Sequence, residues 1–148
     1  MRLTRDCAPV KNDPVDSCVI IDVLENDPHW AGWSQEQLER AALNRSLAVN
    51  AVIYTEISVG FSRIEQVDAM LKQTQIKMEE IPREALFLAG KAFQRYKSRG
   101  GTRTSTLPDF YISAHAAVQG IPLLTRDAGR YASYFPTLEL IVPEKAQR

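Results

Sequence analysis

Apolar residues along this chain gather in short runs, and their spacing switches between strand-like and helix-like from one run to the next. VDSCVII, from Val15 to Ile21, is rich in β-branched residues and reads as a fully buried strand. A helical turn over DVLEN follows, and Pro28 and Gly32 punctuate a loop that holds Trp30 and Trp33. Ser34 and Gln37 have capping-box spacing and open a helix over SQEQLERAALNRS. LAV is a short strand, and Asn50 caps a helix through AVIYTEISVGF that ends near Gly60. RIEQVDAMLKQT is helical in composition, and IKMEEI alternates like a strand. Pro82 suits the first position of a helix over REALFLAGKAFQRYKS, with Leu86, Ala89, Phe93 and Tyr96 as its apolar stripe. RGGTRTST is the clearest flexible loop. LPDFYISAHAAVQG then reads as a helix ended by Gly120, IPLLT as a strand, DAGRYASYF as a short helix and LELIV as the last strand.

Strands alternating with helices predict an α/β three-layer domain with a mainly parallel central sheet flanked by helices. Residues 1–14 carry two prolines and mixed charge without periodicity, and are expected to be a flexible leader before a domain over 15–148. No apolar stretch approaches a membrane span, and the opening MRLTRDCAPVKNDP lacks a signal-peptide core. The expected location is the cytoplasm.

Composition adds constraints rather than a function. With 45% apolar and 24% charged residues, the chain has the makeup of an ordinary globular domain. Eighteen basic residues balance eighteen acidic ones, which argues against a general cationic coat for nucleic acid but leaves room for a local basic rim. The two cysteines, Cys7 and Cys18, form neither a disulfide framework nor a metal-site spacing, and Cys18 in its apolar run reads as a small core residue. His29 and His115 have no paired ligand spacing, and His115 reads as a helix residue packed near the core.

The chemistry lies in four acids at the ends of separate apolar segments: Asp16 in VDSCVII, Glu56 in VIYTEI, Asp109 in LPDFYISAHA and Asp127 in LLTRD. A carboxylate at the mouth of a buried element is costly unless something positive compensates it, and several converging carboxylates repel one another. A hard divalent cation with oxygen ligands resolves both problems and can activate water against a phosphodiester. Each acid also has a plainer reading. Asp109 has capping-box spacing from Thr106 behind Pro108, Asp127 can cap the helix that follows it, and Glu56 can be a partly exposed helix acid. Asp22 can cap a helix after the first strand or support the cluster. Lys97, Arg99, Arg103 and Arg126 form a local basic group, either a solvated loop or a set of phosphate contacts. No phosphate-binding glycine loop is present, and Asp16-Ser17-Cys18 lacks the Asp-x-Asp pair of an aspartyl-phosphate phosphatase.

VDSCVIIDVL resembles the opening motif of PIN-domain ribonucleases, TEISVGF their helical Glu segment, and LPDFYISAHAAVQGIPLLTRDAGRY their closing motif. The resemblance spans about residues 15 to 142 and is most like the VapC toxins of type II toxin–antitoxin modules. It implies the PIN-like three-layer fold and Mg²⁺- or Mn²⁺-dependent endoribonuclease activity on single-stranded loops of structured RNA, with transfer or ribosomal RNA as targets. Asp16, Glu56, Asp109 and Asp127 match the catalytic acids, with Asp16, Asp109 and Asp127 as metal ligands. Ser17 and Thr125 match the supporting hydroxyl positions, and Lys97, Arg99, Arg103 and Arg126 would contact RNA. A homodimer and a VapB-like antitoxin are implied as partners. Two departures stand out: the leader is longer than usual, and Cys18 replaces a frequent Asn, so a local hydrogen bond is expected to be missing. The competing expectation is a non-catalytic PIN-like module that binds RNA or protein.

Overall fold

The computed structural model describes residues 12–44, 46–103, 107–131 and 134–144. The central element, β1, is Asp13–Pro14, and it pairs in parallel with β2 (Leu47–Val49), which pairs in parallel with β3 (Ile76–Met78). β4 (Leu123–Leu124) pairs in parallel with β5 (Leu140–Ile141). A parallel bridge between Val15 and Leu124 joins the two sets, and the Asp16 N–H donates to the Leu124 carbonyl at 2.9 Å. The strands therefore run in the spatial order β3-β2-β1-β4-β5, and the order reverses between β1 and β4. In a parallel sheet that reversal opens a crevice beyond the carboxyl ends of the two strands. Asp16 follows β1 and Thr125 follows β4, at that crevice.

Among the described residues six α-helices accompany the strands: α1 (Ser17–Leu24), α2 (Ala31–Asn44), α3 (Ala51–Ser58), α4 (Ile64–Thr74), α5 (Arg83–Ser98) and α6 (Pro108–Gln119). The expected α/β architecture with a parallel sheet is present, but its first strand lies earlier than the sequence suggests. VDSCVII is not a strand: apart from the bridge at Val15, its residues 17–21 form the start of α1. Its β-branched residues are tolerated in a helix because Val19 and Ile20 bury against the sheet, and packing outweighs their small propensity cost. Asn12, Asp13 and Pro14, placed in the leader by the sequence, are buried, and two of them form β1. Residues 1–11, including Cys7, lie outside the described residues.

The region around the tryptophans also differs. Asp27 accepts hydrogen bonds from the backbone N–H of His29 and Trp30, both at 2.9 Å, and α2 begins at Ala31. Gly32 and Trp33 are thus helical, and Ser34 is a buried residue within α2 rather than its cap. Asn50 does cap α3, accepting from Val52 N–H and Ile53 N–H at 3.0 Å each. Gly120 ends α6 in the left-handed conformation, at φ 65°, which a glycine adopts without strain. For α6, Leu107 occupies the cap position, and Thr106 lies outside the described residues.

The main core gathers Val15, Val19, Ile20, Val49, Ile53, Ile112 and Leu124 around the sheet. A second core lies between α5 and α6, where Ala85, Ala89 and Ala92 face Phe110 and Ala114. The small alanines let α5 close on α6; of the expected stripe, Ala89, Phe93 and Tyr96 pack in this core, whereas Leu86 is 45% exposed and Ala85 is buried in its stead. Beyond α5, Gly101 lies against the Tyr96 ring so closely that a Cβ there would sit 2.3 Å from it. The Tyr96 hydroxyl accepts from the N–H groups of Thr102 and Arg103, which ties down the start of the segment leading to α6.

Candidate active site

Asp16 sits between the end of β1 and the first turn of α1, and none of its surface is exposed. Its Oδ2 accepts hydrogen bonds from Thr125 Oγ1 and Tyr131 Oη, each at 2.8 Å, and the Cys18 thiol lies 3.5 Å away. Thr125 arrives from the end of β4, and its Oγ1 in turn accepts the Asp127 N–H at 3.1 Å. Ser17 Oγ lies 3.0 Å from Glu56 Oε1 and 3.5 Å from Asp16 Oδ1. A serine has one hydroxyl proton, and the shorter contact takes it. Glu56 on α3 and Asp16 on the switch point are therefore linked through Ser17, while Asp16 Oδ1 keeps its lone pairs.

The partners of Asp16 are hydroxyls and a thiol, with no cationic side chain among the described residues. An ionised carboxylate removed from water in this way calls for positive charge from elsewhere. Burial and the Asp16 charge push the Cys18 thiol up to about 11, so at neutral pH it is a protonated donor. Cys18 is half-buried and packs against the main core, as its sequence context suggests, and its thiol also reaches this site, 3.5 Å from Asp16 Oδ2 and 3.6 Å from Thr125 Oγ1.

The other expected residues are placed less tightly. Asp127 follows Thr125 and is exposed, with Oδ1 near Gly129. Asp109 lies in the first turn of α6, half-buried, and α6 packs on both α3 and β1. Among the described residues, no three of His, Cys, Asp and Glu stand together in a metal-holding group. The arrangement that is assembled joins Asp16, Ser17 and Glu56, with Thr125 and Tyr131 behind Asp16. Its donor chemistry fits a hard divalent ion, which prefers oxygen ligands and keeps several of its own waters.

Arg126 is committed elsewhere. Its Nε donates to Asp22 Oδ2 at 2.8 Å, and Ser34 Oγ donates to the same oxygen at 2.9 Å. Its guanidinium also lies 5.5 Å over the Trp30 ring. Asp22, considered as a possible helix cap, is instead a buried residue inside α1 whose charge Arg126 neutralises. Lys97 lies in the last turn of α5, Arg99 caps that helix and stacks 5.5 Å over Tyr134, and Arg103 follows on the same exposed segment.

Two features escaped the sequence reading. The sequence places Tyr131 only within a short helix, yet its hydroxyl reaches Asp16. His115 is buried as expected, but it also joins a polar network. The Asn50 amide nitrogen donates to His115 Nδ1 at 3.1 Å, because the amide oxygen is already used in capping α3. The ring proton is thereby assigned to Nε2, which lies 3.9 Å from Glu79 Oε2. Burial lowers the His115 pKa, and the Glu79 charge opposes that shift in part.

An open groove of about 620 Å³ borders Glu56 and Ser17. Ser17 and Glu56 form its polar end, and Ile21, Leu24, Val59 and Phe61 form its apolar flank.

The sequence profile of the PIN domain family matches residues 15–133. None of the curated protein sequences compared with the chain is a match. Among solved structures, the fold is similar to a chain of VapBC2 from Rickettsia felis bound to a DNA fragment from its promoter. That likeness has a TM-score of 0.65 at 17% identity and covers 90% of this chain and 100% of the other. A chain of VapBC-1 from nontypeable Haemophilus influenzae gives a TM-score of 0.66 at 16% identity, covering 89% and 98%. A chain of DNA-bound VapBC from Salmonella typhimurium gives 0.66 at 17% identity, covering 88% and 97%.

Proposed function

Because this chain belongs to the PIN-domain family, we propose that it is a metal-dependent endoribonuclease and the toxin of a type II toxin–antitoxin pair. The observation that carries the proposal is the buried Asp16 carboxylate at the β1–β4 switch point, without a cationic partner among the described residues and linked through Ser17 to Glu56. Asp16, Asp109 and Asp127 would hold Mg²⁺, or Mn²⁺ in its place. Bound there, the ion would lower the pKa of water and stabilise charge on the scissile phosphate. Glu56 is the proton acceptor for the attacking water. Thr125 holds Asp16 Oδ2 and leaves Oδ1 toward the ligand side. Lys97, Arg99 and Arg103 supply exposed positive charge for RNA phosphates, whereas Arg126 acts mainly through Asp22. Single-stranded loops of transfer or ribosomal RNA are the substrate class, because their splayed bases are accessible and those of an A-form duplex largely are not.

The groove beside Glu56 is the seat proposed for a VapB-like antitoxin. Its apolar flank suits one face of an amphipathic segment, and Glu25 and Glu56 favour a basic side chain at its polar end. The exposed Leu86 and Phe87 on α5 offer apolar surface to a second copy, in keeping with a homodimer.

The test is cleavage of total cellular RNA by purified protein freed of antitoxin, with Mg²⁺, Mn²⁺ or chelator, beside Asp109→Asn. Discrete fragments that need metal and vanish in the variant are expected. Wild-type protein that cleaves equally well in chelator, or an Asp109→Asn variant as fast as wild type, contradicts the proposal. No cleavage by folded protein in either metal favours a non-catalytic binding module.

A further inference from the structure

We infer that the Tyr131 hydroxyl is a positioning group that turns the Asp16 carboxylate so that Oδ1, and not Oδ2, is presented to a divalent cation. The inference rests on the nuclease reading above and adds a residue to it.

Tyr131 is 1% exposed, and its hydroxyl lies 2.8 Å from Asp16 Oδ2 across 115 residues of sequence. Thr125 donates to the same oxygen at the same distance from the end of β4. Two donors from separate segments define the plane of a carboxylate, whereas one leaves it free to turn. Both bind Oδ2, and the one hydroxyl near Oδ1 belongs to Ser17, which gives its proton to Glu56. Oδ1 is therefore the oxygen with open lone pairs, and it lies on the side where Ser17 joins Glu56. Tyr131 also follows directly on the turn Ala128–Arg130 that begins after Asp127. Its anchorage to Asp16 ties that turn to the start of α1. Groups that orient a ligating carboxylate change metal affinity by about 10–100-fold when removed.

The test is Tyr131→Phe in the full chain, which keeps the buried ring and removes one oxygen. Thermal melts of wild type and variant are recorded across a titration of Mn²⁺ or Mg²⁺ alone, without RNA. The metal concentration for half-maximal stabilisation should rise about tenfold or more in the variant. The metal concentration for half-maximal RNA cleavage should rise by the same factor, with the rate at saturating metal restored close to wild type. A merely structural hydroxyl would lower the melting temperature equally with and without metal and leave both midpoints in place, which overturns the inference while the nuclease reading stands. A midpoint that falls, because Oδ2 becomes a better ligand once freed, overturns it as well. Wild-type protein that is neither stabilised by metal nor active with it overturns both.

Discussion

Two buried carboxylates lie six positions apart, Asp16 at the cap of α1 and Asp22 inside that helix, and the protein treats them differently. Asp22 is 2% exposed and closed by Arg126 and Ser34, so its charge is cancelled inside the fold. Asp16 has no exposure and is held by Thr125, Tyr131 and Cys18, which orient it without cancelling its charge. Thr125 serves one acid and its neighbour Arg126 the other, so a single turn after β4 completes both. A buried acid with a built-in cation is a fastening. One held by neutral donors at a switch point is a socket for a positive ligand.

That contrast breaks most sharply on activity. Asp16→Asn should lower metal-dependent RNA cleavage by at least about 100-fold, the scale of several kcal/mol of lost charge stabilisation. Its stability without metal should change little, because an uncompensated charge is removed while one amide oxygen remains to accept from Thr125 and Tyr131. Arg126→Met should do the reverse. It strands Asp22 and should cost about 3 kcal/mol in urea unfolding, as breaking a buried ion pair does, with Asp22 keeping only the Ser34 hydrogen bond. If Asp16→Asn unfolds the protein and Arg126→Met does not, the two roles are assigned the wrong way round.

Smaller effects sharpen the picture. His115 is buried neutral, and its pKa in the fold lies below the ordinary 6.5. The unfolded chain therefore takes up a proton first as pH falls, so stability is lost from about pH 6.5 downward to the lowered value. Melting temperatures between pH 7.5 and 5.5 should decline more steeply for wild type than for His115→Asn. Parallel curves would show that this ring does not contribute. The smallest effect concerns Cys18, whose thiol is raised to about 11. In a Cys7→Ser background its alkylation at pH 8 should be slower than that of an ordinary thiol, and Asp16→Asn should accelerate it. Unchanged alkylation would place Cys18 outside the field of Asp16.

The sequence made the architecture legible where elements are long or capped. Asn50 with α3, the helix ended by Gly120, and the strand–helix alternation all follow from local signals. β1 was hidden because two residues offer no periodicity to read, and the β-branched run after it mimics a strand while its packing makes it a helix. Asp16, Glu56, Ser17 and Thr125 could be picked out because each lies at the end of an apolar segment within a familiar motif. Their linkage could not, since Thr125 meets Asp16 across 109 residues and Arg126 meets Asp22 across 104. Tyr131 carried no local signal at all. An aromatic residue in an apolar segment reads as core until its hydroxyl is seen to need an acceptor.

The most direct test of Asp16 as the metal-seeking acid is calorimetric titration of Mn²⁺ into the purified protein, comparing wild type with Asp16→Asn and Asp22→Asn. Binding that persists in Asp22→Asn and is lost in Asp16→Asn is the predicted result. Equal binding in wild type and Asp16→Asn would contradict the account.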